Sequence, residues 1–310
     1  MAGLDTSTGS PARERPLVFP EATIGAQERI GSHGLLRLIR PKQWIKNLFV
    51  LAPLIFSGLF TRPGMTMLAI FATVLFCVAA SMVYIINDLS DLERDALHPV
   101  KRLTRPLASG AVSVTEARVV LIVLGALLLV GSFVSIPLVA VLIGYVVLNV
   151  LYSVWLKSIP VVDIFCVAAG FVLRVYAGAE AIDVPLSSWM LVTTLSIALY
   201  LAAIKRRDEL ESQGDGARAV LGQYSIALLD RFALMASVCS MVFYSLFVVT
   251  TRPVLAFTIP LVLFGIFRYW FLVDRGDRGE SPTDAVWNDR TLAITVVMWG
   301  ILCAYLLRQP

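Results

Sequence analysis

The chain has 310 residues, 58% of them hydrophobic and 15% charged, with a mean hydropathy of +0.79. Soluble domains are about half apolar and about a quarter charged, so this composition excludes a soluble globular core and points to a single membrane domain. The formal net charge of +4 makes no case for nucleic acid, because membrane proteins gather Lys and Arg on their cytoplasmic side in any event.

Residues 1–32 are rich in Ser, Pro, Gly, Ala and charge. They read as a disordered cytoplasmic tail, without the apolar stretch of a cleaved secretory signal. Residues 33–310 form the membrane domain. A hydrocarbon core about 30 Å thick needs about 20 apolar helical residues to cross it. Nine stretches answer to that in chain order: 44–60, 66–88, 115–133, 135–152, 161–179, 187–204, 228–250, 254–273 and 290–308. The expected fold is all-α, a polytopic membrane protein with nine transmembrane helices. The first span is short, and Pro53 should kink it. Only Ser132 to Pro137 separate the third and fourth, which predicts a tight helical hairpin. Cys77, Cys166, Cys239 and Cys303 all fall inside apolar runs, without CxxC spacing, and read as packing residues.

The connections alternate in charge. Arg37, Arg40, Lys42 and Lys46 precede or open the first span. Arg94, Lys101, Arg102 and Arg105 follow the second, Lys157 the fourth, Lys205, Arg206, Arg207 and Arg218 the sixth, and Arg275, Arg278 and Arg290 the eighth. The opposite connections hold only Arg62, the acids Glu180 and Asp183, and Arg252. The positive-inside rule then places the N-terminus in the cytoplasm and the C-terminus outside.

The second span ends Tyr84-Ile85-Ile86-Asn87-Asp88-Leu89-Ser90-Asp91-Leu92-Glu93-Arg94-Asp95. Asn87, Asp91 and Asp95 stand at i, i+4 and i+8, so on a helix they share one face at steps of about 6 Å; Asp88 lies beside it. Like charges at that spacing repel, acids at a helix C-terminus oppose its dipole, and carboxylates at a membrane are costly. A bound cation removes all three costs. An all-oxygen set with no His or Cys favours Mg²⁺ over Zn²⁺. The basic run Lys101-Arg102-Leu103-Thr104-Arg105 follows at once, as suits the neutralisation of a departing diphosphate.

Asn87-Asp88-x-x-Asp91-x-x-x-Asp95 resembles the first Asp-rich motif of the UbiA superfamily of intramembrane prenyltransferases, and Arg105-Pro106-Leu107-Ala108-Ser109-Gly110 resembles the stretch after it. Within the superfamily, Arg40-Pro41-Lys42-Gln43-Trp44-Ile45-Lys46-Asn47 is similar to the decaprenyl-phosphate phosphoribosyltransferase branch. So are Tyr152-Ser153-x-x-Leu156-Lys157, Asp163, Gly170-Phe171-Val172-Leu173-Arg174 and Lys205-Arg206-Arg207-x-Glu209-Leu210. The resemblance implies a nine-helix fold in the bacterial plasma membrane, with the active site facing the cytoplasm. It implies a Mg²⁺-dependent pentosyl transfer from phosphoribosyl diphosphate to a polyprenyl phosphate, on the way to cell-wall arabinan. Where aromatic prenyltransferases carry a second set of aspartates, this chain reads Lys205-Arg206-Arg207-Asp208-Glu209-Leu210, then Asp215. Bases crowd the acids there, which suits a donor with an extra 5-phosphate.

The expected roles follow from the resemblance. Asp88, Asp91 and Asp95 are the catalytic candidates, and Asn87, Asp91 and Asp95 the metal ligands. Lys101, Arg102 and Arg105 face the leaving diphosphate. Lys42, Lys46 and Lys157 hold the 5-phosphate, with Lys205 added to the binding set. Tyr152 donates to a phosphate oxygen, and Arg174 meets either a lipid phosphate or Asp163. Two other readings stand beside this one: a polyprenyl diphosphate donor with an aromatic acceptor, and a transporter whose acids line an ion path. Polyprenyl chain length and oligomeric state, a homo-oligomer included, stay open, since lipid-facing and subunit-facing apolar surfaces look alike.

Overall fold

A computed structural model describes residues 31–97, 101–133, 135–213, 220–275 and 288–308. Residues 1–30 of the expected tail lie outside the described residues, as do His98, Asp215, Arg218 and Arg278. Among the described residues every regular element is helical and none is a strand. Helix α1 is Gly31–Ile39, and a 3₁₀ segment Pro41–Leu51 runs into α2, Ala52–Ser57. Then come α3, Pro63–Ser90; the short α4, Leu92–Leu97, and α5, Lys101–Thr104; α6, Val114–Val130; and α7, Ile136–Val154. The second half holds α8, Val162–Ala181; α9, Ser188–Gln213; α10, Ile226–Thr251; α11, Ile259–Arg275; and α12, Arg290–Leu307.

Seven helical stretches among the described residues are long and apolar enough to cross a membrane: α3, α7, α8, α9, α10, the stretch Pro253–Arg275 that contains α11, and α12. The other two expected spans are helical but shorter. Helix α6 has 17 residues, and the first span is the 3₁₀ segment followed by α2. Pro53 stands in the first turn of α2, where its missing N–H costs nothing, so it starts a helix there. Many large apolar side chains lie on the outer surface, Phe133, Val154, Phe257 and Ile301 among them. Water would oppose such a surface and a bilayer accepts it. The chain is a multi-pass membrane protein.

Caps explain several helix starts. Ser113 and Glu116 form a reciprocal capping box at α6, and Ser135, Ser225 and Asp289 each accept a backbone N–H at the starts of α7, α10 and α12. Each satisfies donors that a helix start otherwise leaves bare. Helix α3 packs on α6, α7, α8 and the 3₁₀ segment; α7, α8, α9 and α10 follow one another; and α12 packs on α11 and returns to α2. One apolar core gathers Phe76, Leu138, Leu142 and Tyr145 between α3 and α7, and another gathers Tyr200, Tyr269 and Leu272 between α9 and α11.

The 3₁₀ segment sets the geometry of the site's entrance. With three residues per turn, side chains at i and i+3 eclipse, so Trp44, Asn47 and Val50 share one face. That face is docked. Trp44 Nε1 donates to Ser81 Oγ at 3.1 Å, and Asn47 Nδ2 donates to Cys77 Sγ at 3.2 Å. Val50 meets α8 where a Cβ added to Gly178 would lie 1.9 Å from the Val50 carbonyl oxygen, so only glycine permits this approach. The same period turns Lys42 and Lys46 about 120° apart, so they do not share a face as they would on an α-helix.

Candidate active site

The acidic end of α3 forms as the spacing predicts. Helix α3 stops at Ser90 and α4 starts at Leu92, yet the backbone bonds Asp91 N to Asn87 O, at 2.9 Å, and Asp95 N to Asp91 O, at 2.8 Å, carry the helical path through the break. Asn87, Asp91 and Asp95 therefore keep a common face. Ser153 Oγ, at the end of α7, donates to Asn87 Oδ1 at 2.6 Å. Lys101 Nζ lies 3.1 Å from Asp95 Oδ1. Asp91 is half-buried and makes no ion pair among the described residues. Asp88 turns away from this face. Its Oδ1 accepts from both Arg40 and Arg105, the latter at 2.9 Å, and its Oδ2 is buried without a partner. Arg105, expected on the diphosphate, thus also holds a carboxylate.

A second polar network closes the same end of the bundle. Arg206 of α9 donates through Nε to Asp163 Oδ2 at 2.7 Å, through one terminal nitrogen to Glu209 Oε2 at 2.8 Å, and through the other to Tyr152 Oη at 2.7 Å. Tyr224 Oη donates to Asp163 Oδ1 at 2.6 Å and accepts the Val161 N–H at 2.5 Å. Burial, and then the bond to the Asp163 carboxylate, push the Tyr224 phenol above its ordinary pKa. Asp163 and Arg206 are 0% and 3% exposed, so this is a desolvated ion pair in which each guanidinium nitrogen and each Asp163 oxygen has a partner, the kind of geometry that lets such a pair be tolerated. Val161 at the start of α8 sits at φ 69, a backbone region that β-branched residues avoid. Tyr152 and Ser153 are consecutive, so the last turn of α7 joins the two networks.

The structure brings Asn87, Asp91, Asp95, Lys101 and Ser153 together at one end. It brings Tyr152, Asp163, Lys205 and Arg206 together beside them, with Lys205 Nζ 4.0 Å from Glu209 Oε1. Tyr152, expected on a phosphate, is also bonded to Arg206. Lys42 and Arg102 are exposed, and Lys46 and Lys157 half-buried. Arg174 does not meet Asp163. Both lie on one face of α8, but eleven residues put them about 16 Å apart along it, and Arg206 already holds Asp163. Arg174 instead donates to Asn47 Oδ1 at 3.0 Å, the Gly170 carbonyl at 2.8 Å and Tyr145 Oη at 3.1 Å. The rings of Phe76, Tyr145 and Phe171 surround its guanidinium within 5.1 Å. Neutral acceptors and aromatic faces stabilise this cation.

Sequence reasoning passed over Arg206 and Arg40 as site residues. Within Lys205-Arg206-Arg207 nothing local tells the inward base from its neighbours. The usable signal is Ala198, Ala202 and Arg206 at spacing four, all buried, a small-residue face that packs closely and carries Arg206 with it. The donor set at α3 suits Mg²⁺. It offers oxygen alone, from Asn87, Asp91 and Asp95. Mg²⁺ is commonly held by one or two carboxylates and completed by substrate phosphates, and the half-buried Asp91 provides such an incomplete site.

A bundle of membrane-spanning helices whose carboxylate-bearing helix end meets Arg40, Lys101 and Arg105 fits the class of intramembrane helical transferases. The chain is a member of the UbiA prenyltransferase family, whose model matches residues 50–288. It is 34% identical to the decaprenyl-phosphate phosphoribosyltransferase of Corynebacterium glutamicum, over 86% of this chain and 84% of that one. It is 35% identical to the protein of that name from Mycobacterium tuberculosis, over 86% and 91%. The structure of a UbiA homolog from Archaeoglobus fulgidus bound to GPP and Mg²⁺ shares the fold, with a TM-score of 0.64 at 20% identity over 88% of this chain and 96% of that one.

Proposed function

We propose that this chain is a decaprenyl-phosphate phosphoribosyltransferase. It moves 5-phosphoribosyl from phosphoribosyl diphosphate to a polyprenyl phosphate and releases diphosphate, with the site at the cytoplasmic face of the plasma membrane. Kinship over most of the chain supports the reaction. The observation that carries it is the asymmetry of the two networks: at α3 a half-buried Asp91 stands outside any ion pair among the described residues, and at α9 the acids Asp163, Glu209, Glu211 and Asp230 are engaged by Arg206 and Arg207. A symmetric pair of acidic clusters would serve a donor carrying diphosphate alone. A donor with a further phosphate needs cations on the second side.

Asn87, Asp91 and Asp95 would hold Mg²⁺, which when bound supplies charge neutralisation to the leaving diphosphate. Ser153 orients the Asn87 carboxamide by donating to its oxygen. Lys101 and Arg102 stand beside the diphosphate, and Lys42, Lys46, Lys157 and Lys205 form the reservoir of cations for the 5-phosphate. As the diphosphate leaves, positive charge grows on the ribose anomeric carbon, and an oxygen of the lipid phosphate attacks the opposite face with inversion. That oxygen is already anionic near neutral pH, so orientation matters more than proton abstraction.

The test is transfer by the purified full chain in detergent. Labelled phosphoribosyl diphosphate and decaprenyl phosphate should give lipid-bound label with Mg²⁺ and none with chelator. Transfer from a polyprenyl diphosphate to 4-hydroxybenzoate, with none from phosphoribosyl diphosphate, would replace this reading with the aromatic one.

A further inference from the structure

We propose that Arg174 is a positioning residue for donor binding: it keys the 3₁₀ segment Pro41–Leu51 into one register and so fixes the directions in which Lys42 and Lys46 leave it. The proposal rests on the reading above that gives those two lysines to the 5-phosphate of the donor. It assigns a role to a buried cation that the transfer chemistry leaves unused.

Two spacings match. On α8, Arg174 and Gly178 stand at i and i+4, about 6 Å apart along the axis. On the 3₁₀ segment, Asn47 and Val50 stand at i and i+3, which at about 2.0 Å per residue is also about 6 Å. Arg174 Nε donates to Asn47 Oδ1 at 3.0 Å, and one turn along, Gly178 lets the Val50 carbonyl come closer than any side chain would permit. An α-helix would advance only about 4.5 Å over those three residues and turn them about 60° out of line. The pair of contacts therefore accepts the 3₁₀ winding and rejects the α-helical one. Helix α8 is itself a fixed reference, because Arg206 and Tyr224 hold Asp163 at its start.

The chemistry of the contact explains why the residue is an arginine. Arg174 and Asn47 are 5% and 0% exposed, and a cation inside a membrane span is costly. An apolar side chain would fill the space between the rings of Phe76, Tyr145 and Phe171, but it would pack as well on Ile45, Leu48 or Phe49 and let the segment slip. A guanidinium only donates. Within Pro41–Leu51 the side chains that can accept are those of Gln43 and Asn47, so Arg174 selects Asn47, and the next acceptor is four residues away. Asn47 Nδ2 donates to Cys77 Sγ of α3 at 3.2 Å, which aims the carboxamide oxygen at Arg174. The Gly170 carbonyl and Tyr145 Oη hold the other guanidinium nitrogens and keep the fork in place. A buried polar group that fixes register at a cost in stability is the best-attested use of such groups.

The test combines transfer kinetics with hydrogen–deuterium exchange on the purified full chain in detergent. Lysines on the 5-phosphate hold the donor equally before and during reaction, so their displacement raises KM and spares kcat. Arg174→Met and Asn47→Ala should each raise KM for phosphoribosyl diphosphate about tenfold, with kcat changed by no more than about twofold. Each should also speed backbone exchange in residues 41–51 about tenfold, while α10 and α12 exchange as in the wild type. The double variant should be no worse than either single one, because both act through one contact. Wild-type KM in the folded variants, a loss confined to kcat, additive losses in the double variant, or a raised KM with unchanged exchange in 41–51 would each overturn the proposal. Failure of the phosphoribosyl reading would appear earlier, as absence of transfer by the wild type. The exchange measurement would still decide whether Arg174 keys the segment.

Discussion

The end of α3 and the end of α9 both crowd carboxylates at one end of the bundle, and they settle those charges differently. At α9 two arginines are each shared by two acids: Asp163 and Glu209 both pair with Arg206, and Glu211 and Asp230 both pair with Arg207. At α3, Asp95 has Lys101 and Asp88 has two arginines, but Asp91 keeps a half-buried carboxylate outside any ion pair among the described residues. A network whose carboxylates are already engaged by arginines can lock helices together and leaves fewer oxygen atoms open to a metal ion. An unfinished one can take a metal ion and its phosphates. The difference separates a structural end from a chemical end within one site, and the last turn of α7 couples them through Tyr152 and Ser153.

The comparison breaks most sharply at Asp91. Asp91→Ala should lower turnover by about a thousandfold or more, the loss expected when metal-borne charge stabilisation worth several kcal/mol disappears, with the melting temperature unchanged. Next is Arg206. Arg206→Met strands a fully buried Asp163 without its counter-ion and should cost about 3–5 kcal/mol of stability, seen as a large drop in melting temperature; Arg206→Lys keeps the charge but not the three-way fork and should fall between. If Arg206→Met melted like the wild type while losing activity, the structural assignment of the α9 end would fail. Ser153→Ala removes one hydrogen bond, worth about 1 kcal/mol, and should cut kcat about fivefold without lowering the melting temperature.

The smallest effect lies at an outlying pair that serves as a control. Arg268 donates to both carboxylate oxygens of Asp289, at 3.1 and 2.6 Å, and this contact, first among its influences, holds the Asp289 carboxyl below its usual range. A depressed carboxylate pKa stabilises the fold above the unfolded value, and that contribution disappears as pH falls through the folded one. The melting temperature of Asp289→Asn should therefore sit slightly below that of the wild type at neutral pH, and the gap should close in acid. A constant gap would show that the helix cap at Leu292 matters and the ion pair does not.

The membrane class, most of the spans and the Asn87–Asp91–Asp95 face were legible because they depend on local regularities: apolar run length and a spacing of four. What escaped was phase and pairing. The apolar run 44–60 does not announce that its first part winds at three residues per turn, so the separation of Lys42 and Lys46 was hidden. Asp88 and Asp91 look alike in sequence, and only the turn at Arg40, forty-eight residues before Asp88, decides which of them is occupied. Arg174 invited an acidic partner by the rule for cations inside a membrane; Phe76, Tyr145 and Asn47 from three other segments, with Phe171 of its own helix, stand in for it. Such arrangements belong to tertiary contacts and leave no pattern within a single helix.

The most direct measurement is transfer rate against Mg²⁺ concentration for the wild type, Asp91→Asn and Glu209→Gln. The account predicts a strongly raised Mg²⁺ requirement in Asp91→Asn and a wild-type requirement in Glu209→Gln, whatever its maximal rate. An equal increase in the two variants would place metal at both ends and contradict the division drawn between them.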